Sequence, residues 1–448
     1  MKSIRLVLLV LAVLCTSALS AFGQYAPAPG AEDIGDLFSP ILLAEGSPAA
    51  FGEGPQGDTV NPAISGLVQR TTLDLSYAGL TAFGERAAGE GWQGHVVNLG
   101  VVSPTRAAVF STSGHLVHSG LSGMPWGTLV SFYGSAAKEL YPGWLVGAGL
   151  RLTGGSADRF DVGAGLDIGM LRLVGIVGPF EDFRWGVAVN NIGKWYDPFD
   201  AYGALPSPFT PVGGVSFTAY ENDWLRIQTS GTLSAPGFRN LKAGVGARIS
   251  LFDVVSIHTG WKADLRQLLD PTVTEVRSLI PSVGLSATFT TGLRREGFAA
   301  ERGWTQTELR TRASAAKLYN DVWAFAGGIN APLGIIDTEG PEVTLSYDET
   351  AYISPNNDGK LDSLTIPVQI RDERFVMSWE FTVEDAAGDV IRTIRNKDER
   401  PENEGFQSVV DRLLEVRTGI AIPENIRWDG GTESGEVAPD GRYRFSLR

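Results

Sequence analysis

Between Thr71 and Ile329, hydrophobic and polar residues alternate with period two in short segments bounded by turn residues. The clearest runs from Asn240 to Leu251. Its odd positions are Leu241, Ala243, Val245, Ala247, Ile249 and Leu251, and its even positions are Asn240, Lys242, Gly244, Gly246, Arg248 and Ser250. A pleated strand sends neighbours to opposite faces, so one face is apolar and the other polar or small, a split that a helix would scramble. Phe160, Val162, Ala164, Leu166 and Ile168 oppose Asp161, Gly163, Gly165 and Asp167 in the same way. So do Trp144, Val146, Ala148, Leu150 and Leu152 against Gly147, Gly149 and Arg151, and Val255, Ile257 and Trp261 against Ser256, His258, Gly260 and Lys262. The pattern predicts about fourteen strands, starting near residues 71, 94, 106, 127, 144, 160, 170, 184, 210, 223, 239, 254, 282 and 322. It leaves Thr291 to Asn320 as a long connection before the last strand.

Such strands suit a soluble barrel with its apolar face inside or a membrane barrel with that face toward lipid. Three features favour the membrane. The strands run about ten residues, which at about 3.3 Å each and 45° tilt covers a bilayer core. Trp92, Trp144, Trp185, Trp224 and Trp323 fall near strand ends, where interfacial girdles belong. The chain also begins as an exported protein does. Lys2 and Arg5 precede an apolar run from Leu6 to Leu14, and small residues follow up to Gly23. That is a secretory signal peptide, too short to span a bilayer. An exported chain lacking an apolar helix crosses a membrane only as a closed barrel.

Composition narrows the chemistry. Cys15, the only cysteine, lies inside the signal, so the mature chain has no disulfide, no thiolate metal ligand and no cysteine nucleophile. Four scattered histidines leave little for a metal site. The net charge of −14, without basic runs, argues against nucleic acid as a partner. No serine elbow and no phosphate-binding glycine loop is present, so the reading is a non-enzyme without cofactors.

At Ile335-Ile336-Asp337-Thr338-Glu339-Gly340-Pro341 the glycine-rich alternation stops and the chain becomes more charged. Short strands are predicted at Val343–Tyr347, Leu364–Gln369, Met377–Glu384, Val390–Arg395, Asn425–Trp428 and Arg442–Leu447, with a short helix within Glu402–Thr418. That spacing describes a small antiparallel sandwich.

Two resemblances add to this reading. Ala50-Phe51-Gly52 and Gly57-Asp58-Thr59-Val60-Asn61-Pro62-Ala63 lead directly into the first strand. They resemble the start of FadL-like outer-membrane barrels, a superfamily that includes PorV/PorQ-type proteins, where an Asn-Pro-Ala triplet precedes strand one. The resemblance spans roughly residues 40 to 335. It implies a fourteen-stranded barrel with a periplasmic N-terminal segment folded into its mouth. It implies either passive passage of hydrophobic molecules, such as long-chain fatty acids, or an accessory role in protein secretion. The second runs from Ser354-Pro355-Asn356-Asn357-Asp358-Gly359-Lys360-Leu361-Asp362 to Trp428-Asp429-Gly430-Gly431 and Pro439-Asp440-Gly441-Arg442-Tyr443. It resembles the opening and closing hairpins of FlgD-like immunoglobulin-type domains and implies an interaction module without an active site.

Two sets of residues could carry chemistry. Asn356, Asp358 and Asp362 offer oxygens of the kind calcium takes, but the loop lacks the length and terminal glutamate of an EF-hand. An Asx turn, with side chains bonded to their own backbone, is preferred. Arg151, Asp161, Asp167, Lys242, Arg248, His258 and Lys262 would face the lumen, either as a salt-bridged solvated interior or as a filter for solutes.

The sequence therefore predicts an all-β chain: a transmembrane barrel of about fourteen strands followed by a small antiparallel sandwich. Its parts are a signal peptide (1–23), a periplasmic N-terminal segment entering the barrel (24–70), an outer-membrane barrel (71–335) and a sandwich (340–448). The expected partners are outer-membrane lipid, hydrophobic small molecules, and periplasmic or secreted proteins docking on 340–448. An even strand count places that sandwich in the periplasm and the connection Thr291–Asn320 outside the cell.

Overall fold

The computed structural model describes residues 27–52, 54–83, 91–194, 196–203, 209–269, 277–292, 304, 306–334, 341–346, 351–356, 358–371, 376, 378–397, 405–416 and 420–448. The expected signal peptide with Cys15, residues 335–340 at the expected barrel boundary, and Asn357 lie outside them. Among the described residues no helix is long and apolar enough to cross a membrane. The chain divides into two compact units, residues 1–336 and 337–448.

The first unit is a closed antiparallel barrel of fourteen strands. Its first seven are β1 (Thr72–Ala82), β2 (Trp92–Pro104), β3 (Val109–Ser119), β4 (Gly127–Tyr141), β5 (Trp144–Ser156), β6 (Phe160–Val177) and β7 (Phe180–Lys194). The remainder are β8 (Thr210–Glu221), β9 (Leu225–Ser234), β10 (Lys242–Leu251), β11 (Val255–Asp264), β12 (Ser282–Gly292), β13 (Gln306–Lys317) and β14 (Val322–Pro332). Sequence neighbours pair all the way round, and β1 closes the ring on β14, Thr72 opposite Pro332 and Ala82 opposite Val322.

The expected number of strands is reached by a different division. The segments expected from residues 160 and 170 are one strand, β6. Met170-Leu171-Arg172-Leu173 interrupts the alternation there because Leu171 points inward, against Ala50, Ala63 and Leu145. Conversely, the expected connection Thr291–Asn320 contains a strand, β13. Glu308, Arg310, Arg312 and Ser314 give β13 a charged inner face, and only Leu309, Thr311, Ala313 and Ala315 stand outside, so it reads as loop. The correction carries a topological consequence. The shorter connection, residues 293–305, joins β12 to β13 at the same barrel end as Thr72 and Pro332, not at the opposite one.

The two ends differ. At the end bearing Thr72 and Pro332, five of the six strand connections are two to four residues long: 105–108, 142–143, 178–179, 222–224 and 252–254. At the other end several are long, 195–209 and 265–281 above all. We call these the turn end and the loop end. Short turns on the periplasmic side and longer loops outside are the usual arrangement of membrane barrels.

The apolar face of every well-patterned strand points outward. Leu99, Phe132 and Leu150 are each more than 60% exposed, while Asn98, Tyr133 and Arg151 beside them are buried. This is the polarity of a lipid-facing barrel and the reverse of a soluble one. Aromatic rings collect at both rims. Trp92 lies 5.7 Å from Phe325, near Trp323, at the loop end. Trp144 meets Trp185 at 5.7 Å and Trp224 meets Phe252 at 6.4 Å at the turn end.

The interior is filled by the chain's own beginning. Residues 27–68, almost all buried, run the length of the lumen. Pro27 bridges to Gly203, and the backbone carbonyl of Pro29 accepts the Trp126 indole N–H, both at the loop end. A 3-10 helix (Ala31–Phe38) leads to helix α1 (Pro40–Glu45) and, through a 3-10 turn (Gly57–Thr59), to a 3-10 helix (Pro62–Leu67) at the turn end. Helix α1 is written locally as Ser39-Pro40 at its start and Gly46 at its end. The Ser39 hydroxyl accepts the Ile41 N–H at 3.2 Å, proline takes the first turn, and Gly46 sits at φ 72°.

In the second unit, β15 (Glu342–Leu345), β16 (Leu364–Arg371) and β19 (Asn425–Trp428) form one sheet. Strands β17 (Ser378–Glu384), β18 (Val390–Lys397) and β20 (Arg444–Leu447) form another. Ile366 and Val368 of the first share a core with Trp379, Phe381 and Val383 of the second, which makes a small sandwich. Helix α2 (Gly405–Leu414) lies within the polar stretch between β18 and β19.

Candidate functional site

The segment 27–68 is a plug, and its contacts with the wall form three layers. At the loop end, Ala28, Ala31, Ile34 and Leu37 pack with Leu121, Met124, Trp126, Phe199, Tyr319 and Val322 into an apolar cap. Beneath it lies a charged layer. Asp33 accepts from Lys242, from Arg277 Nη1 at 2.8 Å and from the Tyr319 hydroxyl at 3.0 Å, with Lys262 at 3.5 Å. Asp36 takes Lys262 Nζ at 2.6 and 2.7 Å. Glu45 accepts Arg248 Nε at 2.8 Å and shares a 2.7 Å hydrogen bond with His258 Nδ1, whose other ring nitrogen meets Ser286. At the turn end Ala50 and Ala63 pack against Leu145 and Leu171, and polar contacts such as Gln56 Nε2 donating to Asp74 at 2.6 Å join them.

Asn61-Pro62-Ala63 works in this third layer. The Asn61 Oδ1 caps the last 3-10 helix by accepting the Ala63 N–H at 3.1 Å, and Pro62 occupies the first helical position. Asn61 Nδ2 donates to the carbonyls of Ala49 at 2.9 Å and Met170 at 3.2 Å, which ties two parts of the plug to β6.

The inward glycines of the alternating strands have a specific task. Gly246 and Gly260 are register partners on β10 and β11. A Cβ on Gly246 would stand 2.4 Å from the Glu45 carbonyl, and one on Gly260 2.4 Å from the Ala44 carbonyl. The backbone of α1 therefore lies directly on the wall, a close approach that only glycine permits.

Charge placement follows. Burial works against the Asp33 carboxylate, but Lys242, Arg277 and Lys262 outweigh it and hold its titration well below the usual range. Glu45 is likewise lowered, burial being overcome by Arg248 and His258. Asp58 is the opposite case. Fully buried, with hydrogen bonds from serines such as Ser135 (2.9 Å), its carboxyl is pushed up to about 7 by desolvation.

No protein-family model matches the sequence, and no curated protein matches it. Among solved structures, the Ralstonia pickettii toluene transporter TbuX is similar at 13% identity, over 67% of this chain and 98% of that one, with a TM-score of 0.42. A Pseudomonas aeruginosa FadL homologue is similar at 12%, over 69% and 98%, with a TM-score of 0.39. The Pseudomonas putida toluene transporter TodX is similar at 11%, over 68% and 96%, with a TM-score of 0.39. Likenesses this distant assign neither family nor function.

The seven residues expected to face the lumen fall into three groups. Lys242, Arg248, His258 and Lys262 all hold plug carboxylates. Arg151 and Asp167 pair with each other at 3.4 Å, with the Arg151 guanidinium 5.1 Å from the Tyr133 ring. Asp161 stands apart at the loop end, bound to Lys194 at 2.9 Å and to the Asp197 N–H at 2.8 Å. The plug carboxylates and their loop partners Arg277 and Tyr319 were not singled out. Their trace in the sequence is charge bias: residues 24–70 hold six acids and one base, Arg70, against the inward cations of β10 to β13.

In the sandwich, the calcium candidates spend their oxygens on their own loop. Asn356 Oδ1 accepts the Asp358 N–H, Asp358 Oδ1 the Lys360 N–H, and Asp362 Oδ2 the Gly359 N–H. Among the described residues no group of three metal-ligating side chains occurs. The Asx turn is the observed geometry.

Proposed function

We propose that this chain is an outer-membrane barrel that passes small hydrophobic molecules, with its turn end and its sandwich on the periplasmic side. The observation that carries the reading is the inverted polarity: an apolar exterior rimmed by aromatics around a buried, charged interior. A surface feature supports the cargo class. Val130, Phe132, Leu152, Val162 and Ala164 line an apolar groove of about 420 Å³ on the outside of β4 to β6. It reaches Thr153, Gly163 and Lys194, which also line a small pocket with Arg151 and Tyr196 on the lumen side.

Toluene, cargo of two of the similar proteins, is the first compound to test. Whole cells of a host without hydrocarbon channels should take it up faster when they carry this protein. Uptake equal to that of cells lacking the chain would overturn the transport reading. Partners that co-purify with the full chain and vanish on deleting 340–448 would then favour an accessory role in secretion or envelope assembly.

Topology gives a separate test. With the turn end in the periplasm, the plug starts at the cell surface. A protease site placed before Pro27 should be cut on intact cells, whereas sites in 293–305 or at the C-terminus should be cut only after the outer membrane is opened. The reverse order would invert the barrel.

A further inference from the structure

The plug carries its own carboxylate into a site built for one. Lys242, Arg277 and Tyr319 come from β10, from the loop before β12 and from the β13–β14 hairpin, and all three converge on Asp33. All four side chains are more than nine-tenths buried. The neighbouring acids have other hydrogen bonds. Asp36 takes Lys262 and the Ser47 hydroxyl, Glu32 accepts from Asn240 at 2.7 Å, and Asp264, the buried register partner of Lys242, accepts the Gln267 N–H at 3.3 Å. Asp33 is thus the carboxylate that holds Lys242, Arg277 and Tyr319.

Asp33 and Lys242 of this cluster line a lumen cavity of about 120 Å³ together with Lys262, Gly244 and Asn190, while Arg277 and Tyr319 reach Asp33 from outside that lining. An engineered cavity of about 150 Å³ accommodates benzene, so the space is on the scale of one ring or a short chain. Above it sits the apolar cap, with Ile34, Leu37, Met124 and Trp126 between the site and the loop end. A ligand arriving there meets an apolar layer first and cationic donors second.

We infer that the Lys242–Arg277–Tyr319 site binds small monocarboxylates of the benzoate class, and that Asp33 occupies it as a resident competitor that an incoming carboxylate displaces. The physical reason is asymmetric. Removing one partner of a buried ion pair leaves an uncompensated charge in the interior, which is strongly unfavourable. With Asp33 neutral, buried Lys242 and Arg277 lose the one anion hydrogen-bonded to both, Glu32, Asp36 and Asp264 acting on them only from further off, and a carboxylate with a small apolar body restores it. A neutral ring of the same size supplies nothing to those donors.

The inference deepens the transport reading by naming a cargo chemistry, and binding to purified protein tests it apart from transport. Calorimetry on the full chain in detergent should show benzoate bound at least about tenfold more tightly by Asp33→Asn than by the wild type, a modest share of the cost of an unpaired buried charge. Benzyl alcohol should bind both alike. Adding Lys242→Met to Asp33→Asn should abolish the gain. A folded, heat-modifiable Asp33→Asn barrel without tighter benzoate binding would overturn the inference.

If that variant does not fold, the wild type decides. Benzoate, and not benzyl alcohol, should speed cleavage at a protease site before Pro27, because displacing Asp33 frees the top of the plug; equal rates sink the idea. Toluene uptake without benzoate binding would leave the transport reading standing and remove this one. Benzoate binding without toluene uptake would do the converse.

Discussion

Gly246→Val should unseat the plug and open the barrel. The new side chain has no room, because its Cβ alone would lie 2.4 Å from the Glu45 carbonyl, a backbone atom that a rotamer change cannot move aside. Overpacking a tight interior costs about 1–3 kcal/mol where neighbours adjust, and more where they are backbone. Here the shift also pulls Glu45 from Arg248 and His258, and breaking a buried ion pair costs about 3–5 kcal/mol. Single barrels in planar bilayers should then show long-lived conductance steps where the wild type stays largely closed. Gly134→Val is the control: it lies on β4, where an added Cβ meets nothing within 4 Å. If both variants conduct like the wild type, α1 does not rest on β10.

The second large effect is on pH dependence at the other end of the plug. Asp58 titrates near 7 in the folded chain, against about 3.9 for an unfolded carboxyl. Between those values the native state keeps a proton that the unfolded state has lost. The raised value therefore means stability is full below about pH 4 and declines as pH rises through 7. At about 1.4 kcal/mol per unit the loss is about 4 kcal/mol. Asp58→Asn removes the titration. It should leave stability at pH 4 nearly unchanged and raise it by several kcal/mol at pH 8, read as the temperature at which the heat-modifiable band is lost. An Asp58→Asn profile parallel to the wild type would refute this. Asp33 acts with the opposite sign: its lowered titration gives stability that is present above about pH 4 and disappears on acidification. Alkali therefore loosens the turn end of the plug, and strong acid its loop end.

Much of the wall was legible because period two is dictated by the pleat, and an apolar face repeats in strands such as β5, β10 and β12 whatever fills the middle. The failures have the same root. β13 puts Glu308, Arg310 and Arg312 inside, where Glu308 meets Arg70 and Arg310, and Arg312 meets Asp74, and its outside is mostly small residues, so its amphipathicity is muted. The apolar Leu171 breaks the rhythm of β6 because at that level the plug is apolar too. The inward charges could be placed on the correct face, but their partners could not. An ion pair between Asp33 and Lys242 spans 209 residues, and no local pattern records it. The glycines were legible as small, yet what they make room for, the backbone of α1, became visible only in three dimensions.

The position of the plug bears on how the ring is assembled. Residues 27–68 stand inside a wall whose first strand they run straight into, at Thr72. Proteins rarely pass a chain through a loop already closed. Drawing six acids up a finished tube is a worse route than laying the strands around a tether already neutralising Lys242, Arg248 and Lys262. The seam between Thr72–Ala82 and Val322–Pro332 is then the last to seal, and the protein's opening residues serve as the mandrel on which the cylinder is wound.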